Sequence, residues 1–81
     1  MTFTIENVHV HDGSIDVLYR LENIGKFFCT VEFEFGGLYA DRPKLAHYIL
    51  DQVRNHARLN YARYELESEL FGNLGGQSYE V

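Results

Sequence analysis

The sequence predicts an α+β fold in which a three-stranded antiparallel β-meander packs on one long C-terminal α-helix. Three observations predict it: an Asp12-Gly13 turn between two β-rich segments, an alternating segment that follows Gly25, and a helical periodicity that follows Pro43. With 81 residues, the chain has room for one small domain spanning 1–81.

The first hairpin is predicted from its turn. Asp-Gly is typical of the two-residue type I′ turn, in which both central residues need positive φ. A turn at Asp12-Gly13 places Val10 opposite Ile15 and Val8 opposite Val17, so these four apolar residues share one face of the sheet. The predicted strands cover 2–11 and 14–22.

The third strand is predicted from strict alternation over residues 26–35. Odd positions from Phe27 to Phe35 are apolar, whereas Glu32 and Glu34 lie on the opposite face. A three-residue loop formed by residues 23–25 would pair Leu21 with Phe27. The odd-numbered residues of the second and third strands then form the core face.

The helix is predicted to cover residues 42–71, followed by a short tail from about residue 72. Asp41 is a suitable N-cap, Pro43 suits the first turn, and Gly72 is a stop signal. Its apolar stripe comprises Ala46, Ile49, Leu50, Val53, Ala57, Tyr61, Tyr64 and Phe71. At 1.5 Å per residue this helix is about 44 Å long, longer than a ten-residue strand of about 33 Å. Either the helix breaks near residues 57–60 or its last turns overhang the sheet.

Composition restricts the class of protein. Hydrophobic residues make up 46% of the chain, which is too many for a disordered protein, and the longest uncharged stretch is too short to cross a bilayer. The single cysteine, Cys29, excludes an intrachain disulfide framework and favours a reducing compartment, so we expect the cytoplasm. We expect no cofactor.

Charge is segregated along the chain. The net charge is −5 over residues 1–41, +4 over residues 42–64 and −4 over residues 65–81. Such a distribution affects partner choice more than it affects the fold.

The outer face of the predicted sheet is the first candidate site. The predicted register brings apolar residues together there, and acidic residues lie beside them. The candidate partner-binding residues are Phe3, Ile5, Leu18, Phe28, Asp16, Glu32 and Glu34. Exposed apolar patches usually mark an interface, although residues 74–81 could also fold back over this one.

A second apolar edge lies on the helix. Leu59, Leu66 and Leu70 lie beside the main stripe, and a single layer of sheet cannot easily cover both edges. We therefore predict that these leucines form the interface of a homodimer, or of a complex with another protein.

Two other kinds of site remain open. His9, His11 and Asp16 could hold a metal, but cross-strand charge pairs explain the same residues without one. The helix carries a row of basic residues that could contact nucleic acid, interrupted by Asp51: Lys44, Arg54, Arg58 and Arg63.

No nucleophile lies in a catalytic motif, so we expect no enzyme. The favoured function is a small acidic cytosolic protein-interaction module, and we expect it to form a homodimer through the leucine edge. We expect a regulator or inhibitor that docks on a basic, nucleic-acid-handling protein, such as a host nuclease or defence complex. Direct nucleic-acid binding and metal binding are the alternatives.

Overall fold

The computed structural model describes residues 1–33 and 41–81. Within these ranges the chain forms three strands, β1 (Phe3–His11), β2 (Ser14–Leu21) and β3 (Gly25–Glu32), followed by one helix, α1 (Arg42–Leu74). The strands form one antiparallel sheet in the order β1-β2-β3, and α1 packs on one face of it. The predicted α+β architecture is therefore confirmed. The predicted last residues of the third strand, 34 and 35, lie outside the described residues.

The first hairpin has the predicted register near its turn. Val10 pairs with Ile15, and Val8 pairs with Val17. The prediction of a type I′ turn is wrong, because Gly13 has φ 78° whereas Asp12 is not among the residues with positive φ. A β-bulge between Ile5 and Asn7 then shifts the pairing.

The second connection is displaced by two residues from the predicted register. Leu21 pairs with Gly25, and Tyr19 pairs with Phe27, rather than with Cys29. The loop therefore comprises residues 22–24, with Asn23 at φ 64° and the amide of Ile24 donating to the carbonyl of Leu21. A shift of two residues keeps every side chain on its predicted face, because side chains alternate with a period of two.

The core lies between β2, β3 and the first half of α1. The sheet contributes its inner-face residues, and the helix contributes two fully buried ones; the buried set is Ile15, Val17, Tyr19, Leu21, Cys29, Val31, Phe33, Val53 and Ala57. Ala46, Tyr64 and Phe71 of the predicted stripe are exposed. The predicted stripe therefore overestimates the part of the helix that reaches the sheet.

The helix is continuous through residues 57–60, so it overhangs rather than breaks. It begins where predicted: the Asp41 side chain accepts a hydrogen bond from the amide of Lys44, and Pro43 lies in the first turn. It extends to Leu74, three residues beyond the predicted end. Every residue from 62 to 74 is exposed, which corresponds to about 20 Å of helix beyond the sheet.

Candidate functional site

The outer face of the sheet, opposite α1, carries an apolar pair that spans the central strand β2 and the edge strand β3. Leu18 of β2 pairs with Phe28 of β3, and Asn7 of β1 lies on the other side of Leu18. The Phe28 side chain is 72% exposed, whereas Leu18 is half-buried. An aromatic ring that is exposed on the flat face of a sheet retains most of its apolar area for a partner. We call Leu18 and Phe28 the outer apolar pair.

Phe3 and Ile5 do not belong to this patch, contrary to the sequence-based prediction. The bulge between Ile5 and Asn7 inserts one residue into β1 and thereby reverses the faces of the residues that precede it. Phe3 pairs with Leu21 on the inner face, and its ring meets the ring of Tyr19 edge-on at 6.1 Å. The apolar part of the outer face is therefore smaller than predicted.

A polar cluster lies beside the outer apolar pair, toward the Asp12-Gly13 turn. The Asp16 carboxylate accepts a hydrogen bond from the Thr30 hydroxyl at 2.8 Å and contacts Nε2 of His11 at 2.8 Å. The hydrogen bond from Thr30, followed by that from His11, lowers the pKa of Asp16, so this carboxylate stays ionised at neutral pH. The ring of His9 meets that of His11 at 4.6 Å.

The observed register decides which polar side chains share a row on the outer face. The predicted register would place Glu32 beside Asp16, but in the structure Thr30 completes the row with His9 and Asp16. Glu32 instead pairs with Ser14 in the next row and is exposed, and Glu34 lies outside the described residues. Within residues 1–33 and 41–81 there is no group of three His, Cys, Asp or Glu side chains placed to hold a metal ion.

The opposite end of the outer face has mixed charge. Lys26 forms an ion pair with Glu6 at 3.5 Å, and Arg20 pairs with Lys26 across the strands. Basic side chains therefore flank the outer apolar pair on this side, and acidic side chains flank it on the turn side. The charge of the outer face therefore changes along the strands, from acidic at the turn end to mixed at the opposite end.

The basic residues of α1 do not form one stripe. Arg54 forms an ion pair with Asp51 at 3.1 Å, and Lys44 lies 3.9 Å from Asp41. At 100° per residue, Arg63 lies about 140° around the helix axis from Arg58, so the two point in different directions. The predicted nucleic-acid-binding set is therefore dispersed and partly neutralised.

A half-buried polar cluster joins the sheet to α1, and sequence analysis missed it. The Tyr19 hydroxyl accepts a hydrogen bond from the Asn60 amide at 2.8 Å and forms a second hydrogen bond with Nδ1 of His56 at 2.6 Å. Burial raises the pKa of Tyr19. Two features of the sequence could have indicated this cluster. Tyr19 was predicted to lie on the core face, where its hydroxyl needs a hydrogen-bond partner. His56 and Asn60 are one helical turn apart, so both side chains can reach the same group.

The apolar residues of the overhanging part of α1 are exposed. They comprise Leu59, Tyr64, Leu66, Leu70, Phe71 and Leu74. Leu59 and Phe71 are 69% and 73% exposed. This confirms that the sheet does not cover the second apolar edge, while its partner stays a prediction.

Cys29 is a free cysteine in the core, and burial raises the pKa of its thiol. A buried thiol with a raised pKa is a poor nucleophile. Cys29 is therefore a packing residue.

No helix in the described residues is long and apolar enough to cross a membrane. The comparisons give no relative: no protein-family model matches the chain, and no curated protein or solved structure matches it either. The function must therefore be argued from the surfaces.

Proposed function

We propose that this chain is a non-catalytic protein-interaction module that docks on a partner protein through the outer face of its sheet. The observation that carries the proposal is Phe28, a residue 72% exposed on the outer face of β3, which is an edge strand of the sheet. Interfaces are built around a few such aromatic anchors, because each one removes a large apolar area from water when a partner covers it.

The surroundings of Phe28 suit a docking surface. Leu18 extends the apolar area, and β2 and β3 hold the pair in place through their ladder. The pair is bordered by polar groups on both sides, as the core of an interface is bordered by its rim. Because the backbone is already ordered in the sheet, a partner would meet a preorganised surface and would lose little conformational entropy there.

The charge next to the pair indicates the chemistry of the partner. Asp12, Asp16 and Glu32 lie at the turn end of the sheet, and the contacts of Asp16 with Thr30 and His11 lower its pKa further below neutral pH. A partner with a basic surface would be attracted to this end. Basic surfaces are typical of proteins that bind nucleic acids. The module would therefore act as a regulator or inhibitor that occupies the phosphate-binding surface of such a protein.

The setting of the proposal is the cytoplasm. It rests on the single cysteine, which is reduced and buried. A reducing compartment keeps such a thiol free.

The proposal is tested by photo-crosslinking inside the cells of origin. A photoreactive phenylalanine analogue is placed at position 28 in one variant and at position 71 in a second, because the two native phenylalanines are equally exposed, at 72% and 73%. We expect position 28 to crosslink to one other protein. Added wild-type protein should compete and suppress this crosslinked product, whereas added Phe28→Ser protein should not.

The partner is then identified by mass spectrometry, and its basic character follows from its sequence. The proposal would be refuted if the variant with the photoreactive residue at position 28 formed no crosslink to another protein. A crosslink to an acidic protein would refute the charge argument while leaving the apolar one.

A further inference from the structure

The outward side of α1 carries a leucine seam, formed by Leu59, Leu66 and Leu70. At 100° per residue these three leucines lie within about 40° of one another around the helix axis. Leu66 follows the buried Ala57 by nine residues, which is about two and a half turns, so it lies on the side of the helix opposite the sheet. Nothing in the described chain covers the seam, since all three leucines are exposed.

A set of four charged residues follows one flank of this seam. Arg54, Glu65, Arg58 and Glu69 lie within about 60° of one another around the axis. Their order along the helix is two cations followed by two anions. Asp51 precedes them on the same flank and pairs with Arg54, and Glu65 accepts a hydrogen bond from the Tyr61 hydroxyl, so these two charges also have a partner within the chain. Successive members of each pair are four residues, or about 6 Å, apart.

The spacing of the four charges is symmetric about one point. Arg58 and Glu65 lie at equal distances, about 5 Å along the axis, from the midpoint between Tyr61 and Ala62. Arg54 and Glu69 lie at equal distances of about 11 Å from the same midpoint. A twofold axis through that midpoint would therefore place each cation opposite an anion of a second copy.

We infer that α1 pairs antiparallel with α1 of a second copy of this chain, with the leucine seam between the two helices. An antiparallel twofold pair brings the same flank of both helices together. Arg58 then faces Glu65 of the other copy, and Arg54 faces Glu69. Four cross-helix ion pairs form by symmetry, and the resulting order of layers is sheet, helix, helix, sheet.

The pairing explains the direction of charge along α1. Residues 54–63 carry three arginines and no acid, and residues 65–74 carry three glutamates and no base. A parallel twofold pair would bring opposite flanks of the two helices together and leave these four charges without matching partners, whereas the antiparallel pair places opposite charges side by side. The homodimer uses a different surface from the outer face of the sheet, so the two proposals stand or fall separately.

The test is a charge exchange measured by sedimentation equilibrium on the full chain. We expect the wild-type chain to dimerise. Arg54→Glu/Arg58→Glu makes all four positions acidic, and Glu65→Arg/Glu69→Arg makes them all basic; either variant should weaken the homodimer by about tenfold or more. An equimolar mixture of the two variants should form a heterodimer.

The combination of all four substitutions is the decisive variant. It reverses every charge yet restores complementarity only in the antiparallel pair, so its homodimer should have close to wild-type affinity. Arg42→Glu/Lys44→Glu is the matched control: it changes the net charge as Arg54→Glu/Arg58→Glu does, but it lies at the start of α1, far from the midpoint. The control should dimerise normally.

The leucine seam has its own matched pair of variants. Leu66→Gln should weaken the dimer, whereas Leu74→Gln, which alters an equally exposed leucine outside the seam, should not. Circular dichroism checks that each variant is folded. A wild-type chain that stays monomeric at high concentration overturns the inference, and so does a fourfold variant that fails to recover the affinity lost by the two double variants.

Discussion

The Tyr19 hydroxyl offers the sharpest test of how the sheet holds α1. Tyr19→Phe removes one oxygen from a fully buried side chain and leaves its ring contacts with Phe3, Phe27 and His56 in place. The substitution therefore isolates the hydrogen bonds from the packing.

The cost follows from the bonds that are lost. The hydroxyl makes two hydrogen bonds, at 2.8 Å with Asn60 and at 2.6 Å with His56. A typical intramolecular hydrogen bond contributes about 1 kcal/mol net, and an unpaired buried partner adds to the loss. The Asn60 amide also lies 3.1 Å from Nδ1 of His56, so these two groups can still satisfy each other. We expect Tyr19→Phe to lower the free energy of unfolding by about 1 to 2 kcal/mol.

The assay is urea unfolding followed by circular dichroism, at one fixed protein concentration because self-association would alter the apparent stability. Tyr48→Phe is the control, since the Tyr48 hydroxyl is 3.4 Å from the Glu32 carbonyl and contributes little. In a double-mutant cycle, Tyr19→Phe and Asn60→Ala should be coupled. A loss no larger than that of Tyr48→Phe, or additive effects in the cycle, would refute the role assigned to the cluster.

Three further predictions concern the fold. Ala57→Leu should destabilise the chain by about 1 to 3 kcal/mol in the same unfolding assay, because Ala57 is fully buried between helix and sheet; Ser68→Leu, at an exposed position of the overhang that points away from the leucine seam, should not. Gly13→Ala should cost about 1 to 2 kcal/mol because φ is 78° there, although the added Cβ has room; equal stability of this variant and the wild type would contradict the assigned turn. Asp16→Asn should lower the urea midpoint at pH 7. A carboxyl whose pKa is lowered by folding stabilises the protein above its unfolded value of about 3.9, and this contribution is lost as the pH falls through the folded pKa. The difference between the two proteins should therefore shrink as the pH is lowered below the unfolded value. A midpoint difference that does not change with pH would count against the Thr30 and His11 contacts.

Local signals were sufficient for much of the fold. The Asp12-Gly13 turn and the alternation around it predict the register from Val8 to Val17, and Asp41 with Pro43 predicts the start of the helix; the structure confirms both. In these segments, turn chemistry, capping and periodicity all favour the same structure.

The features that escaped prediction depend on tertiary context. The bulge between Ile5 and Asn7 carries no glycine or other local signal, yet its one extra residue moves Phe3 and Ile5 from the outer to the inner face of the sheet, where Phe3 packs against the core and Ile5 stays exposed. The second loop was misplaced because Asn23, rather than Gly25 alone, accepts a positive φ. Both registers put the same side chains in the core, so the hydrophobic pattern could not distinguish them.

The candidate site was predicted only in part for the same reason. Leu18 and Phe28 lie on a face that alternation alone assigns, and the structure places them side by side. The overhang of α1 could be predicted because the helix is longer than the strands that it packs on. The Tyr19 cluster needed the relative position of β2 and α1, which no single-segment pattern contains.

The most direct test of the central claim, that the outer face of the sheet is a docking surface, is the affinity for the partner captured at position 28. Covering the exposed Phe28 ring would contribute about 2 to 4 kcal/mol, so Phe28→Ser should weaken binding by about 30- to 1,000-fold in isothermal titration calorimetry. Phe71→Ser, at a ring of equal exposure on the helix, should bind as the wild type does. Equal losses for both variants, or no loss for Phe28→Ser, would contradict the claim.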